Sequence, residues 1–225
     1  MSEPVAVLFD VDGTLVSSGG AGTEAWRWSF LTHFGEPVDV GEHTPPGTTD
    51  PVVARRSFLG AFGYEPSARD VARLISGYLQ RLPREVERST KYRVLPGVEG
   101  TLNRLCDEGY LLGLTTGLLE GAAHAKLARG GLNGFFCVGG YGSDAADRGQ
   151  LTRRAIERVG AVLGGSLDPR VVLVVGDTPQ DIAAAQAAGA VAIGVATGSY
   201  DRGRLREAGA EATLETLDEL DLARL

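Results

Sequence analysis

The sequence predicts an α/β protein: a doubly wound, Rossmann-like parallel sheet core with an inserted small all-helical cap domain. Short β-branched apolar runs alternate with longer segments of helical period, which is the order typical of βαβ units. The runs VVLVV and VAIGVA are apolar almost throughout, which indicates strands covered by helices on both faces. Between Ser17 and Arg93, by contrast, only helical pattern is found.

The first predicted strand, Val5–Phe9, is followed by this helical stretch. GTEAWRWSFLTHFG and DPVVARRSFLGAFG each predict a helix that ends at its last glycine, and SARDVARLISGYLQRLPREV predicts a long third helix disturbed near Pro83. The Gly- and Pro-rich segment GEPVDVGEHTPPGTTD is predicted to be a loop. We therefore expect residues 17–93 to form a helical cap domain, and residues 1–16 and 94–225 to form the α/β core.

Beyond the insertion, strands and helices alternate to the end of the sheet. Pro96 and Gly97 are typical of a helix start, so the chain is expected to return to the core at VLPGVEG. The other predicted strands are Leu111–Thr115, Phe135–Val138, Val171–Val175 and Val191–Ala196, and the predicted helices lie around Val98–Glu108, Leu119–Arg129, Leu151–Leu163 and Asp181–Ala188.

Composition and charge restrict the possible partners. A net charge of -7 argues against nucleic acid and against an anionic membrane, because both need a basic face. A small anionic substrate is compatible with this charge, since it responds to the local field. No apolar run approaches the length that spans a bilayer, and the N-terminus leads directly into the first strand. We expect a cytoplasmic protein that is a monomer or a homodimer.

The two cysteines are interpreted as thiols of a reducing compartment. Cys106 is placed on one helical face with Val98, Leu102 and Leu105, which predicts that it is buried. Cys137 lies in FFCV, an apparent strand. A disulfide or metal pair between the two is disfavoured.

Acidic side chains follow two of the predicted strands. Asp10 and Asp12 come directly after the first strand, Thr116 ends LLGLTT, and Asp177 and Asp181 follow VVLVV. Ligands of open parallel sheets bind beyond the carboxyl ends of the strands, so we expect these side chains to meet. Four crowded carboxylates destabilise one another unless a hard divalent cation binds them. Mg²⁺ fits best, because it takes a few carboxylates together with waters and a phosphate oxygen.

These segments resemble the motifs of the haloacid dehalogenase-like superfamily of aspartyl-phosphate phosphotransferases. FDVDGTL matches the first motif, DxDGT, LGLTTG the second, with Thr116 favoured over Thr115, and VVGDTPQDI the fourth. A helical insertion after the first motif is similar to the phosphoglycolate phosphatase and β-phosphoglucomutase branch. The resemblance implies a Mg²⁺-dependent phosphatase for a small phosphorylated metabolite or, alternatively, a phosphomutase with the same nucleophile.

The resemblance also implies a role for each matching residue. Asp10 would be the nucleophile that forms an aspartyl-phosphate, and Asp12 the general acid and base. Mg²⁺ would be held by Asp10, the backbone carbonyl of Asp12 and Asp177, with Asp181 acting through a bound water. Thr116 would donate a hydrogen bond to a phosphoryl oxygen.

The third motif of the superfamily, a lysine commonly followed by proline, has no direct match. YGSDAADRGQL stands in its place, and Arg148 is its only cation. Arginine can bind phosphate through two parallel hydrogen bonds, so Arg148 is favoured, with Lys126 of the preceding helix as the alternative. Gly117 is a further candidate for substrate binding, as are Thr49 of HTPPGTTD and Arg55 beyond it.

Several competing interpretations stay open. TPQD has the pattern of a capping box, so Asp181 could cap a helix from Thr178 with or without a role at the metal. Arg148 could form a surface ion pair with Asp144 or Asp147 instead of binding phosphate. A receiver-like phospho-acceptor domain is disfavoured because such domains are shorter and lack the insertion, and a dehalogenase because that reaction needs no second aspartate.

Overall fold

The protein, as a computed structural model that describes residues 4–222, is built on one six-stranded parallel sheet beside a two-stranded antiparallel ribbon. The strands in chain order are β1 (Ala6–Phe9), β2 (Val16–Ser17), β3 (Arg93–Val94), β4 (Leu111–Thr115), β5 (Val138–Gly140), β6 (Val172–Gly176), β7 (Val191–Val195) and β8 (Ala212–Leu214). The helices are α1 (Ala21–Phe34), α2 (Asp50–Phe62), α3 (Ala68–Arg88), α4 (Val98–Asp107), α5 (Glu120–Arg129), α6 (Arg148–Leu163), α7 (Pro179–Ala188) and α8 (Arg202–Glu207).

Strand β1 lies at the centre of the parallel sheet, whose order is β5-β4-β1-β6-β7-β8. Phe9, its last residue, is paired with Leu114 of β4 on one side and with Val175 of β6 on the other. The chain therefore builds one half of the sheet from β1 through β4 to β5, and then the other half from β6 to β8. The carboxyl end of β1 is the point where strand order reverses, which is where open α/β sheets bind ligands.

Alternating side chains of β1 bury two different apolar layers. Val7 and Phe9 pack into a cluster that includes Leu102 of α4 and Leu127 of α5. Ala6 and Leu8 face the other side of the sheet, in a cluster with residues of α6 and α7. Helices thus cover both faces, which confirms the α/β, doubly wound class predicted from the apolar runs.

Helices α1 to α3 lie between β2 and β3 and share their own apolar cluster. Its largest fully buried members include Phe30, Phe58 and Tyr78, and it continues onto Leu119 and Ala122 at the start of α5. The ribbon β2–β3 pairs the two crossings that lead into and out of this insertion. The division of the chain into a core and a cap stays a prediction.

The long third helix of the insertion, α3, differs from the sequence prediction. It begins with a capping box between Ser67 and Asp70 and continues through Pro83 to Arg88. Its buried residues recur at intervals of three or four, as in Val71, Leu74, Tyr78, Leu82 and Val86, which gives the helix one apolar stripe on the cluster. This stripe extends on both sides of the proline.

Three other predictions from local pattern need correction. The strand predicted at Phe135–Val138 is displaced: residues 132–135 form a short 3-10 helix, and only Val138 belongs to β5. Cys106 is exposed, since α4 ends at Asp107 and buries the stripe that contains Leu102 and Leu105. Cys137 is also exposed, precedes the strand, and is a free thiol like Cys106.

Several predicted boundaries shift by one to three residues, and α8 and β8 were not predicted. Strand β1 begins at Ala6, β7 ends at Val195 and α6 begins at Arg148, where Asp147 caps it by accepting a hydrogen bond from the backbone N–H of Gln150. The segment that forms α8 and the edge strand β8 mixes polar and apolar residues, so its sequence gives no clear helix or strand pattern.

None of the helices within residues 4–222 is long and apolar enough to cross a bilayer.

Candidate active site

Three aspartates meet at the carboxyl ends of β1 and β6. The backbone N–H of Asp10 donates to the carbonyl of Val175 at 2.9 Å, which holds the residue beside the end of β6. Asp10, Asp177 and Asp181 are each buried, and each presents one carboxylate oxygen within 4.8 Å of the other two. The structure thus brings together three of the four carboxylates that the sequence predicted to meet.

Burial opposes the ionisation of Asp10 and of Asp177. The pKa of Asp10 is raised to about 7, chiefly by burial and then by the negative charge of Asp181, although Arg148 acts in the opposite direction. The pKa of Asp177 is raised to about 8 by burial and by the charges of Asp181 and Asp10. A cation bound between the carboxylates removes this penalty, because it replaces lost water and neutralises their repulsion.

The donor set suits a hard divalent cation. Asp10 and Asp177 offer carboxylate oxygens on neighbouring strands, and both lie in the wall of one open cleft. Asp181 is buried further in and already has two partners, Arg148 and Thr178. The oxygen ligands and the small number of free carboxylates fit an ion such as Mg²⁺ that keeps several water ligands. Asp181 lies close enough to support such an ion indirectly.

Asp181 also caps helix α7. Its Oδ2 atom accepts hydrogen bonds from the backbone N–H of Thr178 at 3.0 Å and from the Thr178 hydroxyl at 2.6 Å, and its own N–H returns one. The capping box read from TPQD is therefore present. Because Oδ1 faces Arg148 and the acidic cluster, capping and a role in the cluster coexist.

Two glycines, Gly13 in the turn that follows β1 and Gly198 beyond the end of β7, leave room for the carboxylate of Asp177. A Cβ atom added to Gly198 would lie 1.7 Å from Asp177 Oδ2, and one added to Gly13, whose φ is +85°, would lie 2.3 Å from it. Thr14 Oγ1 donates to Asp177 Oδ1 at 3.1 Å, and Thr197 Oγ1 donates to the carbonyl of Gly13 at 2.6 Å.

Sequence reasoning missed Thr14, Thr197 and Gly198. For Thr14 a signal existed, because it is part of the DGT segment.

Asp12 stands apart from the cluster. Its carboxylate is 41% exposed and forms an ion pair with Lys126 through Oδ2, while Ser18 Oγ donates to Oδ1 at 3.4 Å. Lys126 is only 3% exposed. Lys126, which the sequence offered as the alternative to Arg148, therefore contacts Asp12 rather than Asp10.

Arg148, the first residue of α6, links the acidic cluster to the insertion. Its Nη2 atom contacts Asp181 and lies 3.4 Å from Asp10 Oδ1, and its Nη1 atom donates to the carbonyl of Gly47 at 2.9 Å. Its Nε atom is buried without a hydrogen-bond partner among the described residues. Neither rival surface pair is present, because Asp144 binds Arg158 and Asp147 caps α6.

The two threonines at the end of β4 face different surroundings. Thr116 lies in the wall of the cleft, and its hydroxyl is near enough to Asp10 to lower the pKa of that carboxyl. Thr115 Oγ1 is paired with Thr152 Oγ1 at 2.8 Å, away from the cleft. Gly117 also lines the cleft, and its carbonyl accepts a hydrogen bond from the backbone N–H of Asp50 at 2.8 Å.

Two adjoining cavities lie over these residues. The first, of about 440 Å³, contains the cluster side of the site, with Asp10, Thr116, Arg148 and Asp177 in its wall. The second, of about 550 Å³, extends under the helical insertion and is lined by residues that include Trp26, Tyr78, Asp50 and Lys126. Asp12, Gly13, Ser17, Pro46, Gly47, Thr48 and Leu118 belong to both walls, so the cavities form one cleft.

The loop before α2 holds the insertion against the core. Thr49 Oγ1 donates to the carbonyl of Ala146 at 3.1 Å, and Asp50 Oδ2 accepts from the backbone N–H of Leu119 at 2.8 Å. Asp50, which the sequence analysis missed, is buried, and this burial raises its pKa to about 7. Arg55 is exposed on α2 and lines neither cavity, so the structure does not bring it to the site.

Comparisons with known proteins agree with this geometry. A family model for haloacid dehalogenase-like hydrolases matches residues 5–189. A phosphoglycolate phosphatase from Cereibacter sphaeroides is 32% identical over 186 residues, which cover 81% of each chain. A hydrolase from Pseudomonas syringae superposes with a TM-score of 0.72 at 25% identity, covering 96% of this chain and 95% of that one. CbbY from Rhodobacter sphaeroides, solved with phosphate, gives a TM-score of 0.73 at 18% identity over 96% of each chain, which shows the shared fold.

Proposed function

Because the chain belongs to the haloacid dehalogenase-like hydrolase family, as one of its phosphatases, we propose that it hydrolyses a small phosphorylated metabolite through an aspartyl-phosphate on Asp10. The observation that carries this proposal is the position of Asp10. Its carboxylate lies at the switch point of the sheet, 3.4 Å from the guanidinium of Arg148 and beside Asp177, in the wall of an open cleft.

The first half-reaction transfers the phosphoryl group to Asp10. A carboxylate oxygen of Asp10 forms a bond to phosphorus, the bond between phosphorus and the leaving oxygen breaks, and its electron pair stays on that oxygen. Asp12 gives its proton to the leaving oxygen, so that an alcohol departs. Arg148, whose buried Nε atom has no hydrogen-bond partner within residues 4–222, and Thr116 are positioned to donate hydrogen bonds to the phosphoryl oxygens.

The second half-reaction restores the enzyme. Asp12, now ionised, takes a proton from a water molecule, whose oxygen attacks phosphorus as the bond to Asp10 breaks. Inorganic phosphate leaves, and Asp12 is protonated again for the next substrate. The same group thus serves as acid and then as base, and its place between the two cavities suits both tasks.

Mg²⁺ is proposed as the cofactor, held by Asp10, the backbone carbonyl of Asp12 and Asp177, with Asp181 acting through water. When bound, it would neutralise negative charge on the carboxylates and on the phosphoryl group. The raised pKa values of Asp10 and Asp177 support this assignment, since two buried acids with mutual repulsion need a counter-charge.

The substrate is proposed to be a small phosphate monoester. The relative from Cereibacter sphaeroides is a phosphoglycolate phosphatase, which supports a compact substrate. The cavity of about 550 Å³ under the insertion has room for the part of the molecule that leaves. A location in the cytoplasm stays a prediction.

Phosphate release from 4-nitrophenyl phosphate with Mg²⁺ tests the proposal. The Asp10→Asn variant is expected to lose activity by at least about 1,000-fold, because it lacks the nucleophile. Asp107→Asn, a change of an exposed aspartate at the end of α4, is the matched control and is expected to keep full activity. Undiminished turnover in Asp10→Asn rejects the mechanism. A phosphomutase is indicated instead if a sugar phosphate is isomerised without release of inorganic phosphate.

A further inference from the structure

The charges of the site fall into two separate groups. Arg148 contacts Asp10 and Asp181 in the cluster. Within residues 4–222, the ion-pair partner of Lys126 is Asp12 alone. Lys126 lines the cavity under the insertion but not the cavity that holds the cluster. Its ammonium therefore acts on the site through Asp12 rather than by direct contact with the phosphoryl position.

The contacts to Asp12 fix the plane of its carboxylate. Lys126 binds Oδ2 from α5, and Ser18 Oγ donates to Oδ1 at 3.4 Å from the crossing that leads into the insertion. A carboxylate with a donor on each oxygen has restricted rotation about its last bond, while each oxygen keeps a free lone pair. One such lone pair can carry the proton that the leaving oxygen receives.

The insertion holds the lysine in place. A Cβ atom added to Gly22, at the start of α1, would lie 3.4 Å from Lys126 Nζ, so α1 passes directly over the ammonium. Asp50 acts on Lys126 electrostatically from the start of α2, and Asp50 is itself fixed by the backbone N–H of Leu119. The ammonium thus lies between α5, which carries it, and α1, with the Asp50 carboxyl of α2 near enough to act on it electrostatically.

We propose that Lys126 is a positioning residue that holds Asp12 toward the leaving oxygen of the substrate. This inference rests on the proposed function, because it needs Asp12 as the general acid. It adds a second cation with a task different from that of Arg148: Arg148 faces the phosphoryl group, and Lys126 orients the proton donor.

A misplaced proton donor has a characteristic kinetic signature. A nitrophenolate leaves readily without a proton, whereas a basic phenolate needs one while the phosphorus–oxygen bond breaks. Loss of the positioning residue should therefore harm substrates with basic leaving groups more than those with weakly basic ones. A purely structural role would reduce the rate with all of them by the same factor.

The test compares phenyl phosphate with 4-nitrophenyl phosphate, which have closely similar shapes. Lys126→Met, which keeps the length but removes the charge, is expected to lose about tenfold more kcat/KM with phenyl phosphate than with 4-nitrophenyl phosphate. Lys126→Arg keeps the positive charge and is therefore expected to show little of this selective loss with phenyl phosphate. In an Asp12→Asn background, Lys126→Met should change kcat/KM by less than about twofold, since the partner is gone.

Controls keep the outcomes distinct. Lys91→Met removes the only other lysine of the sequence, which is exposed, and should affect neither substrate. Ser18→Ala removes a partly exposed hydroxyl and should show the same selective loss in a smaller degree, even if Lys126→Met does not fold. Equal losses with both substrates, in Lys126→Met or in Ser18→Ala, overturn this inference alone. A wild-type enzyme that releases phosphate from neither substrate rejects the proposed function itself.

Discussion

The guanidinium Nη2 atom of Arg148 lies 3.4 Å from Oδ1 of Asp10, although the two residues are 138 positions apart in the chain. Arg148 reaches this place from the first turn of α6, and a second nitrogen donates to the loop of the insertion. The same side chain thus joins the nucleophile proposed above to the segment that covers it.

Removal of the Arg148 charge is predicted to reduce catalysis more than folding. Arg148→Met should lower kcat/KM for 4-nitrophenyl phosphate by about 100-fold, because a fixed donor to the phosphoryl oxygens is lost. Arg148→Lys should retain part of the activity, since a point charge replaces the planar group. Steady-state kinetics measure both, and Arg154→Met, an exposed change on the same helix, serves as control. Activity within about threefold of wild type in Arg148→Met contradicts this role.

Gly198→Ala is predicted to disturb the proposed metal site, although Gly198 is not one of its ligands. The new methyl group would collide with Asp177, so the carboxylate has to move away from Asp10. We expect the Mg²⁺ concentration for half-maximal activity to rise by about tenfold or more. The control is Gly100→Ala in α4, where a Cβ meets nothing within 4 Å. It should leave the Mg²⁺ dependence unchanged and stabilise the protein by about 1 kcal/mol.

Mg²⁺ is predicted to raise the melting temperature of the protein. An ion at 100 times its Kd adds about 2.7 kcal/mol to the free energy of unfolding, which corresponds to about 5–10 °C for a chain of this size. Asp177→Asn should abolish the increase, whereas the surface change Asp107→Asn should preserve it. Differential scanning calorimetry with Mg²⁺ or with EDTA gives the answer. An equal increase in wild type and Asp177→Asn places the ion elsewhere.

Asp50 is predicted to weaken the fold as the pH rises. Its pKa is raised to about 7 by burial, so between the ordinary value of 3.8 and about 7 the folded state keeps a proton that the unfolded state has lost. Stability therefore decreases with rising pH across this range. Lys126 opposes the shift, and the charge of Asp12 adds to it.

Asp50→Asn removes this titration while keeping an acceptor for the N–H of Leu119. The free energy of unfolding of Asp50→Asn minus that of wild type should therefore increase between about pH 4.5 and about pH 8.5, by at most about 4 kcal/mol. Urea denaturation in EDTA at both pH values measures the difference. A constant difference across the range would show that Asp50 does not titrate as its burial implies.

The parts of the fold that follow from strong local pattern were predictable. A fully apolar run such as VVLVV predicts a strand that is buried on both faces, and it forms β6. Gly97 predicts a helix start, and it lies directly before α4. Short and mixed segments were not predictable in this way. Phe135 and Phe136 resemble a strand in sequence, yet they pack against the apolar cluster that contains Val7 and Phe9, while the strand itself begins at Val138.

The residues of the site were also only partly predictable from the sequence. Asp10, Asp177 and Asp181 could be placed together because they follow the carboxyl ends of β1 and β6, which are neighbouring parallel strands. The partner of Asp12 could not, since Lys126 depends on how α5 and α1 pack. Asp50 shows the same limit, because nothing in DPVVARR distinguishes a helix-start aspartate from one that docks on another segment.

The central place of β1 has a consequence for biosynthesis. This strand leaves the ribosome well before its partners, β4 and β6, which begin more than 100 residues later at Leu111 and Val172. During translation the nascent chain therefore carries an unpaired AVLF segment whose edges can associate with other polypeptides. Chaperones that shelter such segments should matter more for the yield of this enzyme than for proteins whose first strands pair locally.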